Sequence, residues 1–306
     1  MGVPADRHTG FISLCALSVG SITRGCGSSG PHTFSRLTAV LILLSCLQGA
    51  THAAQDEVRE PVDAWIGPGV MDFDFREYEN GKRLVREHGT LYGLTGGVRT
   101  GSKAMRLEAE LSWFGNDVRY DGQTQAGTPV RTQTDEHILD GLGRIGWLFR
   151  PQERLQYQLF AGLGYRYWDR DIRSTPAAAG LTEIYTWWYA LLGARGLYRP
   201  NGRTTWLAEV QLMRPLNPQI NVEFQNDLDD TRLDLGSEPG VRVSLAWRHE
   251  LVSGWRLDIM PFYTAWDIGR SQSRSLKQNG VVVGSLYEPR SEIRDYGIQA
   301  RLGVSF

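Results

Sequence analysis

From residue 70 to the last residue, apolar and polar positions alternate in long runs. The last run is the clearest. Tyr296, Ile298, Ala300, Leu302, Val304 and Phe306 are apolar, while Asp295, Gly297, Gln299, Arg301, Gly303 and Ser305 between them are polar or tiny. A period of two puts these sets on opposite faces of one strand. The same reading predicts ten strands, over Val70–Glu79, Thr90–Thr100, Ala104–Phe114, His137–Arg150, Leu155–Trp168, Glu183–Tyr198, Thr204–Arg214, Val241–Glu250, Trp255–Asp267 and Ile293–Phe306. Most are longer than the five or six residues usual in soluble sheets and match a tilted bilayer crossing of about ten. No segment after residue 53 has a helical period of 3.6.

The connections alternate in length. Those after strands two, four, six and eight are short: Gly101-Ser102-Lys103, Pro151 to Arg154, the turn around Asn201-Gly202, and Leu251 to Gly254. Those after strands three, five, seven and nine are long: Gly115 to Glu136, Asp169 to Thr182, Pro215 to Gly240 and Ile268 to Glu292. The hairpin at Asn80-Gly81 departs from this rule unless its strands project beyond the membrane. The alternation, the even strand number and the terminal strand ending in Phe306 resemble the bacterial outer-membrane β-barrels, the porin-like superfamily, over Val70 to Phe306. That resemblance implies an all-β chain forming a single antiparallel transmembrane barrel of about ten strands. Short turns then face the periplasm, long loops face outward, and both termini are periplasmic. It also implies a location in the bacterial outer membrane, with outer-membrane lipid and lipopolysaccharide around the wall. The barrel-assembly machinery is expected to engage the strand ending in Phe306.

Composition fits this reading. The formal net charge of −1 offers no basic surface for nucleic acid. Mean hydropathy is −0.32, and no apolar run reaches the roughly 20 residues of a membrane helix. Half-apolar strands escape that filter. Arg36, the apolar run Leu37 to Leu47 and Thr51-His52-Ala53 read as an export signal cleaved before Ala54, with an upstream extension from Met1. The expected organisation is therefore a signal over 1–53, a periplasmic lead-in over 54–69 and a barrel over 70–306. Cys15, Cys26 and Cys46 all precede the cleavage, which leaves no disulfide or thiol chemistry for the mature chain. On the apolar face, Trp147, Phe149, Trp206, Trp247, Trp255 and Phe306 fall at the periplasmic ends. Trp113, Tyr165, Tyr167, Trp188, Tyr263 and Tyr296 fall towards the outer ends. Two such belts match aromatic girdles at headgroup level.

Parity assigns a charged set to the lumen. Its basic members are Arg76, Arg99, Arg106, Arg144, Arg166, Arg195, Arg242, Arg248, Arg256 and Arg301, and its acidic members are Asp72, Asp74, Glu108, Glu110, Asp140, Glu183, Glu209, Asp258 and Asp295. A ten-stranded barrel is only a little wider than the eight-stranded kind that side chains fill. Near-balanced charges there predict cross-lumen ion pairs, and Glu108 beside Arg144 is the expected example.

Catalytic chemistry has few candidates. Omptin proteases share the strand number, and their signature is an acidic pair facing an Asp–His pair at the outer rim. After the signal only His88, His137 and His249 are present, and parity turns all three away from the lumen. Ser–His systems like those of lipid A deacylases and outer-membrane phospholipases meet the same shortage. The loop Asn221 to Glu238 is acidic but lacks EF-hand spacing. The expectation is a non-enzymatic outer-membrane barrel with a charge-plugged lumen, structural or surface-interacting, without cofactor or metal. The alternatives are a narrow channel for small solutes and an omptin-like surface hydrolase. No extracellular ligand is specified by the residues.

Overall fold

The computed structural model describes residues 11–13, 60–124 and 127–306. The export signal expected over 1–53, and its junction at Ala54, lie outside these residues apart from the short strand Phe11–Ser13. Ten long strands form the barrel: β1 (Glu60–Glu79), β2 (Lys82–Gly101), β3 (Met105–Gln123), β4 (Pro129–Gln152), β5 (Leu155–Ile172), β6 (Leu181–Tyr198), β7 (Thr204–Phe224), β8 (Gly240–Glu250), β9 (Trp255–Gly269) and β10 (Arg290–Ser305). Each pairs antiparallel with its sequence neighbours, and β10 closes the ring on β1. Closure leaves the main wall without a free edge, which a strand in lipid requires.

The strands run further than patterning predicts, mostly at their outer ends. β1 starts at Glu60 rather than Val70, so the described part of the expected lead-in is strand. β2 starts at Lys82 and joins β1 through Asn80-Gly81 alone, whose φ angles of 50° and 77° fit a two-residue primed turn. β4 begins at Pro129 and β7 runs on to Phe224. The first hairpin is therefore no exception to the long-loop rule, because its ends stand above the bilayer.

The outward face marks that bilayer. Ile66, Leu94, Leu107, Leu159, Leu163, Leu192, Leu212 and Leu302 are exposed apolar residues on the barrel wall. Trp147, Phe149, Tyr157, Tyr198, Trp206, Trp255 and Phe306 ring one end of this band, and Tyr92, Trp113, Trp188 and Tyr296 the other. The girdles match the sequence assignment and gain Tyr92, Tyr157 and Tyr198. Arg214, opposite Ala190 and one outward step from Leu216, is a charge near the outer girdle, at a depth from which an arginine reaches headgroups.

Above the outer girdle the outward residues turn polar and the interior turns apolar. Phe73, Phe75, Leu91, Trp168, Tyr185, Ile220, Val222 and Ile293 fill the upper lumen. Long loops contribute Leu233, Leu276 and Leu286 to the same core. Leu276 and Leu286 come from a hairpin of Arg274–Gln278 with Val281–Tyr287, turned at Asn279-Gly280, and Phe11–Ser13 pairs in parallel along its second strand. Lower down, small residues let aromatics cross the lumen. A Cβ at Gly164 would lie 2.1 Å from the Tyr189 ring, and one at Gly97 would lie 2.3 Å from Trp65.

The last residue fastens the seam. Phe306 N–H donates to Val62 O at 3.0 Å, and Val62 N–H donates to Phe306 O at 2.9 Å. Its side chain is exposed, so it adds little burial energy. Phe306→Ala, which keeps both backbone bonds, is expected to lower the yield of assembled barrel in cells while leaving the unfolding free energy of purified barrel within about 1 kcal/mol of the parent. Heat-modifiable gel mobility of membrane fractions reads the first quantity, and urea titration reads the second. An unchanged yield would refute the assembly role.

Candidate functional site

The membrane-level lumen is the densest concentration of chemistry. Alternation points one side chain in two inward, and on ten strands the inward set is rich in arginine and carboxylate. Glu108 on β3 lies directly opposite Arg144 on β4, and the two are hydrogen-bonded. Glu108 also meets Arg195 of β6 at 3.1 Å and Arg99 of β2 at 4.0 Å. Glu209 of β7 takes the same two arginines from the far side, Arg144 at 2.8 Å and Arg195 at 2.5 Å. Two carboxylates and two guanidiniums thus link β3, β4, β6 and β7 across the lumen. Nearby, Asp63 bridges Arg99 at 2.8 Å and Arg256 at 2.9 Å. Arg248 and Asp258 form a bidentate pair at 2.8 and 2.7 Å. Arg301 reaches Glu110 across the lumen at 3.0 Å. Such forked, charge-assisted contacts are the strong class of hydrogen bond.

A second layer sits beneath the apolar core. Arg166 lies 3.6 Å from Asp140 and 3.9 Å from Asp295, while the Tyr189 hydroxyl donates to Asp140 at 2.7 Å. The Arg242 guanidinium stacks 4.4 Å from the Phe262 ring centre. Two interior cavities of about 40 Å³ lie in these layers. Each has room for a few water molecules at most and is too small for a solute.

The structure places Arg99, Arg106, Glu108, Glu110, Asp140, Arg144, Arg166, Glu183, Arg195, Glu209, Arg242, Arg248, Arg256, Asp258, Asp295 and Arg301 on inward positions of their strands. Asp72, Asp74 and Arg76 are a correction. They point outward, and Phe73, Phe75 and Glu77 between them are the buried set. At that height water surrounds the wall, so charge belongs outside. Asp74 pairs there with Arg76 at 2.6 Å and Arg86 at 2.8 Å.

A third group was missed by patterning. Glu77, Glu87, Glu136, Arg170 and Glu288 join Glu183 in the upper core, all almost fully buried. Arg170 has the inward parity of Arg166 and lies beyond the predicted end of its strand. Extending that strand by two residues would have found it. Asn279-Gly280 before Val281 was likewise a legible hairpin signal.

No histidine of the described residues faces the lumen. His137 stacks on Trp113 at 5.9 Å with Nε2 3.4 Å from Asp135, and His249 stacks on Trp247 at 5.5 Å, both outside the wall. His88 is outward on β2, opposite Arg119.

No protein-family model matches the chain, and no curated protein matches it. Solved structures do. The outer membrane protease OmpT from Escherichia coli superposes with a TM-score of 0.61 at 10% identity, covering 84% of this chain and 99% of that one. The translocator domain of the autotransporter NalP from Neisseria meningitidis aligns at a TM-score of 0.46 and 11% identity over 88% and 95% of the two chains. Neisserial surface protein A aligns at 0.33 and 9% identity over 79% and 97%. At these identities the first likeness speaks for fold, and the other two superpose too loosely to add to it. With the apolar band and its two aromatic girdles, that fold identifies the chain as a ten-stranded β-barrel of the bacterial outer membrane.

Proposed function

We propose that this chain is a non-enzymatic outer-membrane barrel whose lumen is closed by its own charges, serving a structural or surface-interacting role. One observation carries the reading: Glu108 and Glu209 hold Arg144 and Arg195 jointly across the lumen. A conducting pore keeps its charges hydrated and apart so that ions exchange with them. Here each carboxylate contacts more than one guanidinium, which leaves little affinity for a passing ion. Separating such pairs without full hydration is costly, so the network favours the closed form. Outer-membrane lipid and lipopolysaccharide contact the wall in this proposal, and the assembly machinery engages β10.

Planar-bilayer recording of the refolded protein tests it. The expected result is a membrane without resolved unitary steps. Step conductances of porin size, sustained at neutral pH, would overturn the closed lumen and favour a channel.

A further inference from the structure

The upper lumen holds ionisable groups where an apolar core would suffice. The Arg170 guanidinium reaches Glu183 at 2.5 Å, Glu87 at 2.9 Å, Glu136 at 3.7 Å and Glu77 at 3.9 Å. Phe75 covers it at 4.1 Å and Trp168 at 5.2 Å from the ring centres. A fifth carboxylate, Glu288, is attached through Tyr185, which accepts from Arg170 at 3.1 Å and donates to Glu288 Oε1 at 2.8 Å. Glu136 Oε2 accepts from the Trp168 indole N–H at 2.5 Å, and Glu87 Oε1 accepts from the Thr134 hydroxyl at 2.6 Å. One guanidinium cannot neutralise five carboxylates, and unpaired charge in so dry a site is prohibitive. The closed arrangement therefore contains bound protons.

Of the five, Glu288 alone lies outside the barrel strands. It directly follows the hairpin over 274–287, whose Leu276 and Leu286 cap the upper core and whose tip exposes Val281, Val282 and Val283. Glu77 faces Glu288 from β1, Glu183 and Tyr185 from β6, and Arg170 from β5. The Ser291 hydroxyl on β10 donates to Oε1 at 3.3 Å. Ser271, after β9, accepts from the Glu288 backbone N–H at 2.7 Å. Among the described residues Glu288 Oε2 has no hydrogen-bond partner.

We propose that the Arg170–glutamate cluster is a proton-operated latch, and that the hairpin over 274–287 is an extracellular lid released as pH rises. Burial, and then the nearby Glu77 and Glu183, push the Glu288 carboxyl well above the usual carboxylate range while the lid is closed. With the lid open, Glu288 is in water and titrates as an ordinary glutamate. Its contribution to closure is then complete below the ordinary carboxylate range and is lost as pH climbs through the raised value. Below the lid, the charge network of the membrane-level lumen remains in place, so lid release opens a blind vestibule and no pore.

Hydrogen exchange of the refolded full chain in lipid, expressed as protection relative to intrinsic rates, is the test. Protection over 275–287 is expected to fall at least about tenfold from pH 5 to pH 9, the factor one released proton carries over a single pH unit. Protection over 207–213 in β7 should stay constant. Glu288→Gln, which cannot ionise, is expected to keep its lid protected at pH 9. Protection independent of pH in the parent, or lost equally in Glu288→Gln, would overturn the latch. Should that variant not fold, Tyr185→Phe serves instead: it removes the donor to Glu288 and should lower lid protection several-fold at pH 5, whereas an unchanged value would overturn the proposal. Bilayer conductance reports on the lower network separately, so the two readings fail independently.

Discussion

Arg170→Met is expected to destabilise the refolded barrel by about 3–5 kcal/mol, the usual result of removing one partner from a buried ion pair. The argument is one of stranded charge. Methionine keeps much of the apolar volume against Phe75 and Trp168, so packing loss is modest. What disappears is the cation that Glu87 and Glu183 contact at 2.9 and 2.5 Å in a core without solvent. The loss should shrink in acid, where the glutamates take up protons and need no counter-charge. Urea titration read by heat-modifiable gel mobility, at acid and neutral pH, gives both numbers. A change below about 1 kcal/mol at neutral pH would mean the cluster carries no net charge to compensate.

Glu108→Gln is expected to be the second most damaging single change, at about 3 kcal/mol. Glutamine is nearly isosteric and keeps one carbonyl oxygen as acceptor. It removes the negative charge on which Arg144, Arg195 and Arg99 converge. Glu209 alone would then face Arg144 and Arg195, and two like-charged guanidiniums would compete for it. The same assay measures the loss. A second readout comes from bilayers: any leak the variant acquires should favour anions, because the lumen has gained net positive charge. A cation-selective leak would contradict the geometry.

How far the sequence carried the fold depends on what surrounds each stretch of wall. At bilayer depth the alternation of Leu302 with Arg301, or Ile145 with Arg144, has a single solution: the charged residue turns in because lipid lies outside. Glu108 opposite Arg144 was legible for that reason, as were the aromatic girdles. Asp72-Phe73-Asp74-Phe75-Arg76 has the same period and the opposite answer, since water is outside and the two phenylalanines make the core. Period alone does not contain this switch; only the height of the residue does, and height depends on strand ends that long loops conceal. Glu87, Glu136 and Glu288 were hidden for a related reason. Each lies in a segment that patterning assigned to a loop, where an isolated glutamate reads as solvated, and only the closed ring brings them to one arginine.

The change of character along each strand also fixes how deep the barrel sits. On β10 the outward series runs Val304, Leu302, Ala300, Ile298, Tyr296 and then Arg294 and Glu292; on β5 it runs Leu163, Tyr165, Tyr167 and then Asp169 and Asp171. On β1 the step falls between Val70 and Asp72. On neighbouring strands these boundaries fall within about one outward position of each other, as where Asp72 of β1 lies opposite Tyr296 of β10. Sinking by one outward position, roughly 5 Å along the bilayer normal for strands tilted about 40°, would carry a ring of charges into hydrocarbon. Rising by the same amount would lift the tyrosines and tryptophans out of the headgroups. The depth of the barrel is thereby held to within about one outward position, and a membrane of different thickness must thin or thicken around it.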